Sequence, residues 1–480
     1  MTLTSKASRG VYLNGKWVDT GNELEVVNPA NGQVFASVST VDREQVRAAL
    51  TTAHDAFAGW RAQTAKDRGA LLLRVADELK SRRDEIARTI TLENGKPLAQ
   101  SKGEVGMAED HLRWFAEEGK RAYGRMIPQQ DARKRNLMIK SPIGPVAAIA
   151  PWNFPLVLAV RKAAPALAAG CPVILKPASK TPLSAVALAE CMEAAGIPAG
   201  VFQLVIGNAS MIAEEFLTNP LCRKISFTGS TEVGQSLIRG AAEQVKPLSL
   251  ELGGHAPLLV FDDCDLNVAV REAIIAKFRN TGQSCIAANR IYVQKTIYKD
   301  FLAKFVAATL TLKVGDGLED GVDVGPVIGE SALAGALHQI DDAVKRGATI
   351  CCGGKRLGNS SGFFLEPTVL DGVDGDALCM REETFAPVAP VCAFDTEEEA
   401  ITRANHSRYG LSAYVMTRDY ARIFRCAEAL EAGTIAVNDG APATSNAPFG
   451  GIKQSGWGRE LGSEGLDAFL ETKHVSFGGM

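Results

Sequence analysis

Cys285 lies in the stretch NTGQSCIAANR (280–290), after a Gly-Gln-Ser turn, at the end of a helical pattern and just before a strand. It is one of ten cysteines, and the other nine sit among apolar or loop residues with no shared pattern. A loop thiol at a helix terminus can act as a thiolate nucleophile, or it can be an inert packing cysteine in a tight bend. Glu251, in LELGG, ends a near-continuous apolar run. A carboxylate there is either paired with a cation or held as a general base with a tuned pKa. Asn153, between two prolines in PWNFP, reads as a turn residue or as an amide donor to an oxyanion. Lys176, in LKPAS, falls at the end of a strand, where open α/β sheets bind ligands and where many lysines are simply solvated. The full GxGxxG fingerprint is absent, and GSTEVG (229–234) is the nearest substitute. Its glycines let backbone amides and a helix N-terminus face a phosphate, or they form an ordinary strand–helix turn.

Two arginines add a second kind of chemistry. Arg161 lies in the apolar helical run PLVLAVRKAAPAL, and Arg279 lies six residues before Cys285 in KFRNTGQSC. A buried guanidinium is costly unless something anionic meets it. Either the two form internal salt bridges, or they grip a carboxylate on a bound molecule.

Positioning such residues requires a scaffold, and the pattern supplies one. Residues 42–119 carry apolar residues at helical spacing, as in DREQVRAALTTAHDAFAGW and KDRGALLLRVADELKSRRDEIARTI. From residue 146 short apolar strands alternate with single helices: VAAIA, then a helix through 156–169; PVILK (172–176), then 182–195; VFQLVIG (201–207); KISFTG (224–229); and PLSLELGG (247–254). That alternation implies a parallel sheet with right-handed crossovers. A second α/β series follows, with helices at 265–279, 296–312 and 333–346 and strands at 290–294, 388–394 and 434–438. RNLMIKS (135–141) and TKHVSF (472–477) read as strands outside both series, and an exposed edge of this kind suits another subunit.

Composition bounds the rest. A chain of 480 residues is expected to form two or three domains, and 46% hydrophobic with 22% charged residues is a globular balance. The net charge of −3 and the lack of a basic run argue against nucleic acid or an anionic membrane as partner. The N-terminal residues lack an apolar leader pattern, and the apolar stretch 144–175 is broken by Arg161, Lys162 and prolines, so no membrane span is expected. No CxxC pair or histidine cluster suggests a metal, and the cysteines suggest a reducing cytoplasm.

PWNFP (151–155), LKPAS (175–179), FTGS (227–230), ELGG (251–254), GQSC (282–285), EETFAPV (382–388) and PFGGIKQSG (448–456) occur in that order. This set resembles the motifs of the aldehyde dehydrogenase superfamily, from about residue 10 to the C-terminus. The resemblance implies a Rossmann-like parallel-sheet cofactor domain, an α/β catalytic domain and a small β oligomerisation arm. It divides the chain into 1–119 with 142–253 for NAD(P), 254–453 for catalysis, and 120–141 with 454–480 for assembly into homodimers or homotetramers. It makes Cys285 the nucleophile, Asn153 and the Cys285 backbone N–H the oxyanion donors, and Glu251 the base that activates water. Trp152, Lys176, Ser179, Phe227, Gly229, Ser230 and Val233 match positions along the adenosine and pyrophosphate, and Leu252, Glu383 and Phe385 those near the nicotinamide and its ribose. Relatives restricted to NAD commonly place a glutamate where Ser179 stands. A serine would not repel a 2′-phosphate, so NADP is expected, with NAD as the alternative.

Within the superfamily the chain resembles succinate-semialdehyde dehydrogenases, including FAEEGKRAYGRMIP (115–128) and the arginines at 161 and 279. That similarity implies a cytoplasmic role in 4-aminobutyrate catabolism, with Arg161 and Arg279 on the distal carboxylate of a semialdehyde and Phe154 and Phe449 walling the reacting carbon. Groups acting on glutarate or 2-oxoglutarate semialdehyde share much of the pattern, and a broader-specificity aldehyde dehydrogenase is the further alternative. Two departures matter: Ala443 stands where some succinate-semialdehyde enzymes have a substrate-contacting serine, and Ala287 where some carry a second, switching cysteine. A non-catalytic scaffold would lack Cys285 or Glu251, and a CoA-acylating relative would lack the glutamate.

Overall fold

The structure is a computed structural model that describes residues 10–358 and 361–479. Residues 1–9, which carry part of the N-terminal pattern and of the expected 1–119 segment, and residue 480 lie outside the described residues.

The chain opens with two hairpins, β1 (Val11–Leu13) with β2 (Lys16–Val18) and β3 (Glu23–Asn28) with β4 (Gln33–Ser39). The helical segment follows as α1 (Arg43–Ala62), α2 (Ala65–Ser81), α3 (Arg83–Asn94) and α4 (Leu98–Glu118). α1 begins where it does because Asp42 accepts from the Gln45 N–H while the Gln45 side chain returns the bond, a capping box. β5 (Arg125–Ile127) and β6 (Arg135–Pro142) then pair antiparallel.

The expected alternation runs β7 (Val146–Ile149), α5 (Val157–Ala169), β8 (Val173–Lys176), α6 (Leu183–Ala194), β9 (Phe202–Leu204), α7 (Ala209–Thr218), β10 (Lys224–Thr228), α8 (Thr231–Ala242) and β11 (Leu248–Glu251). The strands pair in parallel in the order β11-β10-β7-β8-β9, and β1 and β2 extend the sheet beyond β9. Every residue of β7, β8 and β10 is buried, including Lys176, Lys224, Ser226 and Thr228, as in a parallel sheet covered on both faces.

The second sheet is built from β12 (Ala256–Val260), which leads through α9 (Leu266–Phe278) to β13 (Ala288–Gln294), then β14 (Thr349–Cys352), β15 (Thr368–Asp371), β16 (Val388–Phe394), β17 (Ser412–Met416) and β18 (Thr434–Val437). Its order is β14-β15-β16-β13-β12-β17-β18. β17, which the sequence pattern does not single out, fills the gap between β12 and β18.

One expected segment is not uniform. Within 454–480, β19 (Gly456–Trp457) pairs with β11 and closes the first sheet. Gly456 has φ +123°, and the Leu250 carbonyl oxygen lies 2.0 Å from where its Cβ would stand, so only glycine lets the chain run there. The last strand, β20 (Leu470–Phe477), pairs antiparallel with the whole of β6, making with β5 a three-stranded sheet separate from both others. Among the described residues no helix is long and apolar enough to cross a membrane.

The C-terminal ends of β7, β8, β10 and β11 are followed by Trp152 and Asn153, Pro177 to Ser179, Gly229 and Ser230, and Leu252 to Gly254. This is the side of an open α/β sheet on which ligands bind.

Candidate active site

Cys285 is presented by a strained turn. After α9 the chain makes a single 3₁₀ turn, Arg279–Gly282, in which Asn280 (φ +52°), Thr281 (φ +59°) and Gly282 (φ +72°) are all left-handed. Two consecutive non-glycine residues in that region must be held by their surroundings. Asn280 Nδ2 donates to the carbonyls of Asn153 (2.8 Å) and Gln283 (3.1 Å), and Gln283 Oε1 accepts from the Ile328 N–H at 2.8 Å. The bend therefore locks the Cys285 loop to the PWNFP loop.

The surroundings of the thiol oppose a resting thiolate. Burial pushes the Cys285 thiol well above its ordinary range, and the carboxyls of Glu251 and Glu383 push further. Sγ lies 3.6 Å from Glu251 Oε1, so the group that opposes a thiolate electrostatically is also within reach of its proton.

Asn153 donates one N–H of its side-chain amide to the Gln283 carbonyl at 3.2 Å, which leaves the second free. The Cys285 backbone N–H makes no hydrogen bond among the described residues. Both residues line one cavity of about 180 Å³. The backbone of Asn153 is fixed by groups the sequence does not single out. Its carbonyl accepts from Lys96 Nζ at 2.7 Å, and Lys96 pairs at 2.6 Å with the equally buried Glu104. The other Glu104 oxygen caps α5 through the N–H groups of Leu156 (2.9 Å) and Val157 (3.2 Å).

Glu251 ends a polar chain. Thr228 Oγ1 donates to Glu251 Oε2 at 3.1 Å, Lys162 Nζ donates to Thr228 Oγ1 at 2.6 Å, and Lys162 pairs with Glu460 at 2.5 Å. Burial first, then the Glu460 charge, raise the Glu251 carboxyl above the ordinary carboxylate range. Burial would raise Glu460 too, but the Lys162 and Arg161 cations outweigh it and hold that carboxyl low. Two buried carboxyls with pKa values driven apart form an acid–base pair rather than two fixed charges. Glu460 gives no sequence signal, whereas Lys162 shows the same expensive burial as its neighbour Arg161.

The residues expected around a dinucleotide divide between two openings. Trp152, Gly229, Ser230, Leu252, Glu383 and Phe385 line the cavity that holds Cys285. Phe385 (φ +47°) packs edge-on against Trp152 at 5.4 Å, and Glu383 accepts from the Gly254 N–H at 3.0 Å. Burial raises the Glu383 carboxyl to about 7. Val233 lies apart, in an apolar groove of about 690 Å³ between α7 and α8. Phe227 is buried, and its ring fills the space a Cβ on Gly229 would need, 2.3 Å away. Lys176 is buried with its ammonium on the Pro177 carbonyl at 3.0 Å, and burial lowers its pKa to about 8. Ser179 is half-buried beside it. An ammonium short of partners, a carboxyl, a side-chain-free glycine turn and an apolar groove fit the phosphates, ribose and adenine of NAD(P).

On its other side Cys285 meets a second cavity, of about 30 Å³, lined by Phe154, Arg161, Arg279, Ala443 and Phe449 among others. Arg161 stacks over the Phe449 ring at 4.7 Å and Arg279 over Phe154 at 5.3 Å. Among the described residues no carboxylate lies within 4.0 Å of either guanidinium, so the salt-bridge alternative is not what the structure contains. Among the described residues the only side-chain hydrogen bond of Arg161 runs from Nε to His111 Nε2 at 3.4 Å. Of the two hydroxyl residues that follow Ala443, Thr444 is exposed and donates to Asn446, whereas Ser445 is buried.

Comparison with known proteins gives the same direction. The aldehyde dehydrogenase family profile matches residues 17–475. The chain is 48% identical to an NADP(+) succinate-semialdehyde dehydrogenase of Escherichia coli over 97% of each chain. It is also 48% identical to a glutarate-semialdehyde dehydrogenase of Pseudomonas aeruginosa, over 98% of this chain and 97% of the relative. A crystal structure of an aldehyde dehydrogenase from Brucella melitensis superposes with a TM-score of 0.97 at 47% identity, covering 99% of this chain and 98% of the other. The chain belongs to the aldehyde dehydrogenase family.

Proposed function

We infer that this enzyme oxidises an aldehyde carrying a carboxylate at its far end, succinate semialdehyde, to the dicarboxylic acid, with NADP or NAD as oxidant. One observation carries the reading. Cys285 stands between a cavity suited to a dinucleotide and a cavity whose charged groups are two guanidiniums without a carboxylate.

Glu251 takes the thiol proton, and the thiolate adds to the aldehyde carbon while Arg161 and Arg279 hold the distal carboxylate against Phe154 and Phe449. The developing oxyanion is met by the free N–H of Asn153 and the backbone N–H of Cys285, each worth about 2.7–4 kcal/mol in the transition state. Trp152, Lys176, Ser179, Phe227, Gly229, Ser230 and Val233, with Leu252, Glu383 and Phe385 at the reacting end, would hold NAD(P), which would supply the hydride acceptor. Loss of hydride leaves a thioester on Cys285. Glu251, once its first proton is released to solvent, then deprotonates a water that adds to the thioester carbon; the C–S bond breaks, the sulfur leaves as the Cys285 thiolate, and the acid departs. The presence of Glu251 favours water over CoA as acyl acceptor.

Ser179 and the name of the Escherichia coli relative favour NADP. Glutarate semialdehyde is the second reading: Ala443 trims the wall of the distal cavity, and the Pseudomonas aeruginosa relative is named for that substrate. Residues 1–119 with 142–253 are assigned to the cofactor, 254–453 to catalysis and the β5–β6–β20 sheet to dimer or tetramer contacts. The exposed Met126, Ile127, Ile139 and Phe477 on that sheet support the last assignment. A cytoplasmic place in 4-aminobutyrate catabolism accords with this substrate.

The test is a comparison of Arg161→Ala and Arg279→Ala on succinate semialdehyde and on uncharged butyraldehyde. Each variant is expected to raise KM for the former by about 10- to 100-fold, the value of a charged hydrogen bond, with much smaller change for the latter. Proportional losses on both aldehydes would make the arginines structural.

A further inference from the structure

Arg161 has an unusual neighbour for a buried cation. His111, on α4, is buried to 2% exposure, Arg161 to 6%, and the contact between them runs from the guanidinium Nε to imidazole Nε2 at 3.4 Å. An arginine can only donate, so His111 Nε2 must be the acceptor and the ring must be neutral with its proton on Nδ1. That Nδ1 is itself buried and has no hydrogen-bond partner among the described residues. A histidine kept for packing alone would pair both nitrogens, or be replaced by an apolar ring that leaves no orphan donor.

The arrangement has a consequence for charge. A carboxylate on Nε would fix Arg161 but cancel its charge. A neutral imidazole fixes it without cancelling anything, and because it occupies Nε it leaves both terminal nitrogens uncommitted. Phe449 stacks on the same guanidinium and confines its plane. Burial and the Arg161 charge both hold the imidazole well below its ordinary pKa, in keeping with the neutral state the contact requires.

Resting on the proposed oxidation of an ω-carboxylated aldehyde, we propose that His111 is a specificity-determining positioning residue, a neutral acceptor that orients Arg161 so that its full charge and its terminal nitrogens meet the distal carboxylate. His111 does not touch the substrate. It acts through the angle and charge of Arg161.

The experiment compares the parent enzyme, His111→Phe and His111→Gln, with NADP as cofactor, on succinate semialdehyde and butyraldehyde. The quantity read is the ratio of kcat/KM for the two aldehydes. In His111→Phe the preference for succinate semialdehyde is expected to fall about tenfold, the low end for a hydrogen bond to a charged group, and the fall is expected in KM rather than kcat. His111→Gln, whose amide oxygen can accept from Nε, is expected to keep the preference within about threefold of the parent. His111→Leu provides the same comparison without a second ring beside Phe449. Equal losses on both aldehydes, a fall confined to kcat, or a glutamine variant as impaired as the phenylalanine one would overturn the inference. A parent that prefers the carboxylated aldehyde, with the preference intact in His111→Phe and His111→Leu, overturns the inference alone. A parent with no such preference overturns the proposed substrate as well.

Discussion

The carboxyl of Glu251 lies 3.6 Å from the sulfur of Cys285, and neither group sits at its ordinary pKa. Both are raised first by burial, so a single proton held between them is favoured over two separate charges. One residue can therefore serve twice, accepting the thiol proton before acylation and a water proton after it. In Glu251→Gln steady-state turnover is expected to fall by about 10²- to 10⁴-fold, the usual range for loss of a general base. Stopped-flow absorbance at 340 nm tells the two roles apart. A burst followed by arrest assigns Glu251 mainly to deacylation, and loss of the burst assigns it to thiol activation as well. Unchanged turnover would remove it from the mechanism.

Glu460 should set the pH at which Glu251 works. Its charge raises the Glu251 carboxyl, so the deprotonated base accumulates only above the ordinary carboxylate range, and activity rises with pH through that raised value. Glu460→Gln removes the negative neighbour and frees Lys162, and both changes favour ionised Glu251. The acid limb of the kcat–pH profile is expected to move to lower pH. A limb that stays in place, or moves upward, would show that the two carboxyls do not share this titration.

The parts of the site legible in the sequence are those marked by backbone punctuation. Cys285 follows a glycine turn, Asn153 sits between prolines, and Glu251 precedes two glycines, because presenting a side chain at a strand end demands a sharp bend. The first sheet is readable for a related reason: short strands rich in buried apolar residues are separated by single helices. What was not legible acts at a distance along the chain. Glu460 meets Lys162 across 298 residues, and His111 and Glu104 look like ordinary positions of an amphipathic helix until α4 packs on α5. β17 gives a weaker signal because Ser412 interrupts a short apolar run between a glycine and a polar turn, which fits a loop as well as a strand. The raised thiol of Cys285 could not be read at all, since it depends on burial by elements far away in sequence.

Ser179 bears on the choice of cofactor. It is half-buried after β8, close in sequence to the buried ammonium of Lys176. A glutamate at this position would place a negative charge where a 2′-phosphate is expected to bind. Ser179→Glu is therefore expected to raise KM for NADP at least about tenfold, the cost of opposing a charged hydrogen bond, and to change KM for NAD far less. Initial rates with each cofactor at saturating aldehyde decide the matter, and equal effects on both would remove Ser179 from the cofactor site.

The Lys96–Glu104 pair should couple stability to catalysis. Both side chains are fully buried, and between them they hold the Asn153 carbonyl, the first turn of α5 and the face of the Phe154 ring, 4.0 Å from the ammonium. Removing one partner strands the other as an uncompensated buried charge, which typically costs about 3–5 kcal/mol. Lys96→Met and Glu104→Leu are each expected to lower the denaturation midpoint markedly, and the double variant to lose less than the sum of the two, because it strands no charge. Stability recovered in this way need not restore the oxyanion site. The double variant still lacks the ammonium on the Asn153 carbonyl and the cap on α5, so its kcat is expected to stay low on charged and uncharged aldehydes alike. A double variant that regained both stability and kcat would show that the pair only fills space.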